Sequence, residues 1–157
     1  PGTTGGGTGT GTTTGGGTDT NVGVPADGSC TDAEISLTPI PASPTVKRGT
    51  AVEMRLKIKN VSARNCSRDV GADLQEIYVE SGAQKVWSSD TCGTATGSDV
   101  QQFAPNGERE YNVSWNGRES TKCTSGSAAG PSPEAGQYQV RGRLGGKVSE
   151  PVTITLS

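Results

Sequence analysis

Tyr111, Val113 and Trp115 alternate with Glu110, Asn112 and Ser114 in a run that ends at Asn116-Gly117. A side-chain period of two closed by an Asn-Gly signal specifies a half-buried β-strand followed by a turn. The run carries one of only two tryptophans in a chain with a single Phe and three Tyr. Any core must therefore be assembled around Trp115, with Tyr111 and Val113 expected beside it on the buried face.

The same period recurs along the chain. Val52, Met54, Leu56 and Ile58 alternate with Glu53, Arg55, Lys57 and Lys59, so Leu56 and Ile58 are expected in the core. Ile35 and Leu37 mark a shorter strand, which Pro39, Pro41 and Pro44 confine to a sheet edge. Leu74 to Glu80 and Lys85 to Trp87 flank Ser81-Gly82 as a hairpin. Val100 to Phe103 is a short strand before Pro105-Asn106-Gly107. Residues 60–71 and 119–133 read as loops. From Gly136 to Leu144, Tyr138, Val140 and Leu144 face inward; Gly145-Gly146 turns the chain into a last strand carrying Val152, Ile154 and Leu156.

No segment has helical period. Seven to eight short strands with turn signals between them point to an all-β, immunoglobulin-like antiparallel β-sandwich, with a closed barrel as the alternative. Tyr138, two residues after Gly136, stands where a tyrosine hydroxyl can hold a corner of such a sandwich.

The N-terminal region differs in kind. Residues 1–20 contain nine Gly and nine Thr, with only Pro1 and Asp19 besides. Such a composition offers little apolar burial to offset the entropy of ordering it. Residues 1–29 are expected to be a disordered Gly/Thr-rich linker and residues 30–157 the domain. The chain starts within low-complexity sequence and without Met, so it is expected to be a fragment whose anchor or signal sequence lies upstream. Its dense threonines are also compatible with O-glycosylation.

Cys30, Cys66, Cys92 and Cys123 lie 26 to 36 residues apart, with no C-x-x-C pair and no His in the chain. Structural zinc sites bring ligands in close pairs, so two disulfides in an oxidising compartment are expected instead. Counting strand directions places all four at one end of the sandwich. Three connectivities remain open, of which Cys30 with Cys66 and Cys92 with Cys123 is favoured because sequential strands tend to be neighbours.

A search for chemistry returns little. Without His, a Ser-His-Asp or Cys-His arrangement is excluded, and no Gly-rich loop lies between a strand and a helix. Asp69 with Asp73, or Glu108 with Glu110, are the conceivable carboxylate pairs, and Asp69, Asp73 and Asp90 the conceivable Ca2+ ligands. Exposed acids of this kind are ordinary in soluble domains, so no catalytic residue, cofactor or metal site is assigned and an enzyme is not expected. Net charge is −2, and beyond Asp19 and Asp27 the chain balances 14 basic with 14 acidic residues. That gives no reason to expect a nucleic-acid partner. The rows Arg55, Lys57, Lys59 and Arg141, Arg143 should lie on opposite sheets as solvated faces. Asn60, Asn65 and Asn112 fit the N-glycosylation pattern, taken here as chance.

Several of these stretches together resemble a known group. They are Asn60 after an amphipathic strand, Val86-Trp87-Ser88-Ser89-Asp90-Thr91-Cys92, Phe103 to Gly107 before Tyr111 to Trp115, and Ala135-Gly136-Gln137-Tyr138. The combination resembles uncharacterised actinobacterial membrane-anchored envelope proteins, in which one membrane helix precedes a Pro/Gly/Thr-rich linker and an Ig-like domain. More distantly it is similar to the bacterial intracellular subtilisin proteinase inhibitor family, from which the four cysteines depart. The shared motifs are turns and core aromatics and imply the Ig-like fold; the cysteines and the lack of His add the expectation of a monomeric, extracytoplasmic, non-catalytic module. It would bind or adhere to an unknown protein or cell-wall component, and reach a membrane only through an anchor outside this sequence. A structural or accessory domain of a membrane protein is the alternative, and proteinase inhibition a third reading. Trp87 and Arg118 are the candidate binding residues.

Overall fold

A computed structural model describes residues 25–157. The expected linker therefore lies mostly outside the described residues. The chain divides after Ala33 into two units. In the described part of the first, the Gly28 N–H donates to Pro25 O at 3.2 Å and the Ser29 N–H to Asp27 Oδ1 at 3.0 Å, closing a turn.

The second unit carries the fold. Its strands are β1 (Ile35–Pro41), β2 (Thr45–Val46), β3 (Val52–Asn60), β4 (Cys66–Asp69), β5 (Gln75–Ser81) and β6 (Gln84–Ser88). They continue with β7 (Val100–Phe103), β8 (Glu108–Trp115), β9 (Cys123–Thr124), β10 (Ser127–Ala128), β11 (Gly136–Leu144), β12 (Lys147–Val148) and β13 (Val152–Leu156). One sheet has the order β1-β3-β8, and the other β2-β13-β11-β5-β6 with β12 also on β11. Two small ribbons, β4 with β7 and β9 with β10, complete the set. The two main sheets face each other as an immunoglobulin-like β-sandwich with open edges, not a closed barrel.

Alternation is the cause of the packing. Val52, Met54, Leu56 and Ile58 on β3 are all buried, while Glu53 and Arg55 between them are exposed. Val140, Leu144 and Ile154 of the other sheet are fully buried as well. The sheets approach closely at Gly142, where a Cβ would stand 2.4 Å from Leu56 Cδ1. A larger residue on β11 at that point would have to displace the Leu56 side chain.

The edge role of β1 holds, but its length differs. The strand runs on through Pro39 and Pro41, which pair with Leu56 and Met54. An edge strand tolerates proline because each missing N–H can be one that faces away from its single neighbour. The hairpin at Ser81-Gly82 is present, with Ser81 opposite Gln84 and a register shift between Val79 and Glu80. Tyr138 is buried, and its hydroxyl donates to Glu134 O at 2.7 Å, making the expected corner.

Two segments read as loops contain strands. Cys66–Asp69 pairs with Val100–Phe103, and Cys123–Thr124 pairs with Ser127–Ala128. Both are too short and too polar to show a period, and pairing partners alone define them.

The expectation that all four cysteines share one end is overturned. Cys92 is bonded to Cys123, with Cα atoms 5.4 Å apart, and Cys30 and Cys66 are also disulfide-bonded, leaving no free thiol. However, β8 runs antiparallel to β3, with Val52 opposite Trp115 and Lys59 opposite Glu108. Cys66 follows the Lys59 end of that pair, whereas Cys123 follows the Trp115 end. The direction count failed because it ran β8 the same way as β3.

Candidate functional site

The outer face of the β11-β5-β6 sheet is built from charge. Glu76 on β5 is only 2% exposed, and Lys85 Nζ donates to its Oε2 at 2.8 Å. Ser88 Oγ also donates to Oε2, and Arg143 reaches Oε1 through Nε at 2.7 Å and through its second guanidinium nitrogen. Burial alone would raise this carboxyl, but the donors from Lys85, Ser88 and Arg143 outweigh it and hold the group below the usual glutamate range. Beside it, Arg141 Nε donates to Glu80 Oε2 at 2.7 Å. The alternation that puts Ile77 and Val79 in the core puts Glu76, Tyr78 and Glu80 on this face, across the sheet from Arg141 and Arg143.

The two basic rows do lie on different sheets. Arg55 Nη1 reaches Glu110 Oε1 at 2.8 Å, while Lys57 and Lys59 lie 4.0 and 3.9 Å from Glu108. Each row is matched by acids on the neighbouring strand. Glu108 and Glu110 are therefore each partnered by cations.

Several candidates turn out to be structural. Trp87 is buried, its ring centroid lies 5.7 Å from that of Trp115, and it lines one hollow beside β8. Trp115 is 1% exposed, and its indole N–H donates to Arg118 O at 2.9 Å. Arg118 in turn donates from Nε to Gly130 O at 2.8 Å and from Nη2 to Ala129 O at 3.2 Å, tying down the connection after β8. Asp69 Oδ1 accepts the Asp99 and Gly71 N–H groups, both at 2.9 Å, and these lower its carboxyl from the ordinary value. Asp73 Oδ1 accepts the Gly97 N–H at 2.9 Å. Among the described residues no three His, Cys, Asp or Glu side chains gather as a metal set.

Asn60, within a glycosylation pattern, is fully buried. Its Nδ2 donates to the Arg64, Phe103 and Ala104 carbonyls at 2.8, 3.2 and 3.1 Å, and its Oδ1 accepts from Ser62 N at 3.0 Å and Ser62 Oγ at 2.7 Å. It is a plug joining the end of β3 to the turn before β8, out of reach of a glycan.

Tyr111 and Val113 correct the expected core. Both point to the same side as Trp115, yet they are only half-buried. They line a hollow of about 460 Å³ together with Asp73, Glu76, Ile77 and Asp90. A second hollow of about 310 Å³ adjoins it beside the Cys92–Cys123 bridge. The two share Ser89, Gly93 and Val113 in their walls, so a groove runs along β8. Desolvation, then the nearby Asp99, raises the Tyr111 phenol. Burial followed by the Glu76 charge raises the Asp90 carboxyl. Sequence reasoning missed the groove because its walls come from segments distant in the chain.

No family model matches the chain, and no curated protein matches it in sequence. Several solved structures share part of its form. A β-glucosidase of Erythrobacter marinus superposes at TM-score 0.47 and 9% identity, over 78% of this chain and 15% of that one. The alkylpurine DNA glycosylase AlkC of Pseudomonas fluorescens gives TM-score 0.47 and 7% identity, over 79% and 30%. The CARDB domain of a Pyrococcus furiosus protein gives TM-score 0.39 and 11% identity, over 78% and 94%. This chain spans less than a third of the first two proteins, and what those proteins act on stays theirs. What the strands and cysteines establish together is an immunoglobulin-like β-sandwich closed by two disulfides, a domain suited to an oxidising environment.

Proposed function

We propose that this domain is a non-catalytic, extracytoplasmic binding module, carried at the cell envelope on its Gly/Thr-rich N-terminal segment. One observation carries the reading: the groove along β8 combines half-buried Tyr111 and Val113 with polar walls, while the buried carboxylate beside it is already neutralised by Lys85 and Arg143. A hollow of this size that combines an apolar floor with polar walls suits recognition. Glu76, held ionised by its donors, is a poor proton carrier at neutral pH. The two disulfides and the composition of residues 1–29 support a setting outside the cytoplasm, as does the resemblance to membrane-anchored envelope proteins.

The test is retention of the purified domain on isolated cell-envelope material. Ala95 is an exposed loop residue in the wall of the larger hollow, so Ala95→Trp fills the groove without touching the core. Retention that falls at least about tenfold in this variant, with an unchanged melting temperature, is the expected result. Equal retention of both proteins would place the binding surface elsewhere, and no retention of either would remove the binding-module reading.

A further inference from the structure

The backbone of β8 has one partner and one open side. Along β3, Ala42 N donates to Glu53 O, so Glu53 turns its polar groups toward β1. Asn60 bonds through both N and O to the turn before β8, so the set Val52, Met54, Leu56, Ile58 and Asn60 faces β8. Residues of an antiparallel strand alternate the side to which both backbone groups point. The register then makes Arg109, Tyr111, Val113 and Trp115 the bonded partners on β8. The N–H and C=O groups of Glu110, Asn112 and Ser114 point outward.

Asn112 and Ser114 line the two hollows although their side chains are on the opposite face from Tyr111 and Val113, so it is their main chain that the groove exposes. The other edges of the two main sheets are managed. Pro39 and Pro41 interrupt the edge of β1, and β2 is two residues long. The Ser120 N–H caps β6 by donating to Val86 O at 3.0 Å, and Ser120 Oγ accepts the Ser88 N–H at 3.2 Å. Natural sheets protect their edges in such ways. The stretch from Glu110 to Ser114 is left unprotected and bordered by a groove.

We propose that this groove takes an extended peptide segment bearing lysine or arginine, which adds to β8 as a further strand. The inference rests on the binding-module reading and names its partner class. Strand addition draws affinity from main-chain hydrogen bonds and specificity from pockets that receive alternate side chains. Here the outward groups of Glu110, Asn112 and Ser114 supply the first, and the two hollows supply the second. The charge of the occupant follows from the walls. Asp73 and Asp90 line the larger hollow, no Lys or Arg does, and the Glu76 carboxylate lies on the outer face of its sheet beside it. Lys85 and Arg143 neutralise Glu76, but Asp73 carries only a backbone donor and Asp90 lies 3.7 Å from an Arg143 already engaged by Glu76. Negative charge remains at the mouth, where a cationic side chain is favoured over an acidic one.

The probe is a short synthetic peptide alternating valine with lysine, compared with one alternating valine with glutamate, followed by amide exchange in the full chain. The lysine peptide is expected to slow exchange at Glu110, Asn112 and Ser114 and to bind about tenfold more tightly than the glutamate peptide. Asn112→Pro removes one outward N–H while leaving the β3 ladder intact, and should abolish that protection. Asp90→Lys, an exposed loop change, should erase or reverse the charge preference even where the proline variant folds poorly. No binding at millimolar peptide, protection at other amides, or equal binding by Asn112→Pro overturns the proposal. So does protection of the same amides in a self-associated dimer without peptide. Envelope retention that survives Asn112→Pro overturns strand addition while the binding module stands; absence of retention in both removes the module, and the peptide titration still decides the edge.

Discussion

Trp87 and Trp115 approach across the sandwich with ring centroids 5.7 Å apart and planes inclined by 30°. One comes from β6 at the edge of the larger sheet and the other from the end of β8 in the smaller, so the pair joins the two sheets where neither has a further strand. A tilted aromatic pair adds about 0.5 to 1.5 kcal/mol beyond its buried area.

Trp115→Ala should therefore cost about 3 to 5 kcal/mol and Trp87→Ala a similar amount, with a coupling of about 1 kcal/mol in the double variant. Urea unfolding followed by circular dichroism measures all three. Arg55→Ala, on the exposed outer row, should stay within about 0.5 kcal/mol of wild type. Equal losses at Trp115 and Arg55 would mean that the facing of β3 and β8 is misassigned.

Asn60→Ala should destabilise the domain by more than about 2 kcal/mol, because three carbonyls lose a donor inside the protein. Asn65→Ala, at an exposed position in the following loop, serves as the control and should be near neutral. Thermal melts of the two variants decide the point: a silent Asn60→Ala would deny the plug its role.

Glu76 predicts the sign of a pH effect. Burial opposes its charge, but Lys85, Ser88 and Arg143 more than compensate, so its folded pKa lies below the unfolded one. Its contribution is present above the unfolded value and is lost as pH falls through the folded one. Stability should decline as pH falls below the ordinary glutamate value of about 4.3, and Glu76→Gln should flatten that decline while lowering stability at pH 7. Identical acid unfolding curves for the two proteins would exclude this cluster as a source of acid sensitivity.

Reducing or replacing the Cys92–Cys123 bridge, for example as the paired Cys92→Ser and Cys123→Ser variant, should cost about 2 to 4 kcal/mol. The β9–β10 ribbon should also lose amide protection before the main sheets do, since it is only two residues a side and the bridge anchors one of its strands. Hydrogen exchange by mass spectrometry resolves the two effects. Simultaneous loss of protection everywhere would show the bridge to be integral to the whole fold.

Most of the strand phases were legible from residue order. The alternation of Val52, Met54, Leu56 and Ile58 sets which side chains face inward, and the glycine turns at Ser81-Gly82 and Gly145-Gly146 set two hairpins. The corner at Tyr138 and the oxidised state of the cysteines followed from spacing and residue type. The groove was not legible, because Tyr111 and Val113 carry the same alternating signal as a fully buried pair.

The sequence by itself determined the class of fold, since side-chain period and turn chemistry are properties of neighbours in the chain. The tertiary structure decided which inward residues are covered, because burial depends on the next strand in the sheet and on the facing layer. β8 has a neighbour on one side only, so Tyr111 and Val113 remain half open while Trp115, met by Trp87, is sealed. Tertiary structure also fixed the direction of β8 against β3, which places Cys66 and Cys123 at opposite ends of that pair. It gathered Glu76, Lys85 and Arg143 from three strands into one ionic cluster, and no local pattern encodes a contact between residues so far apart in the chain.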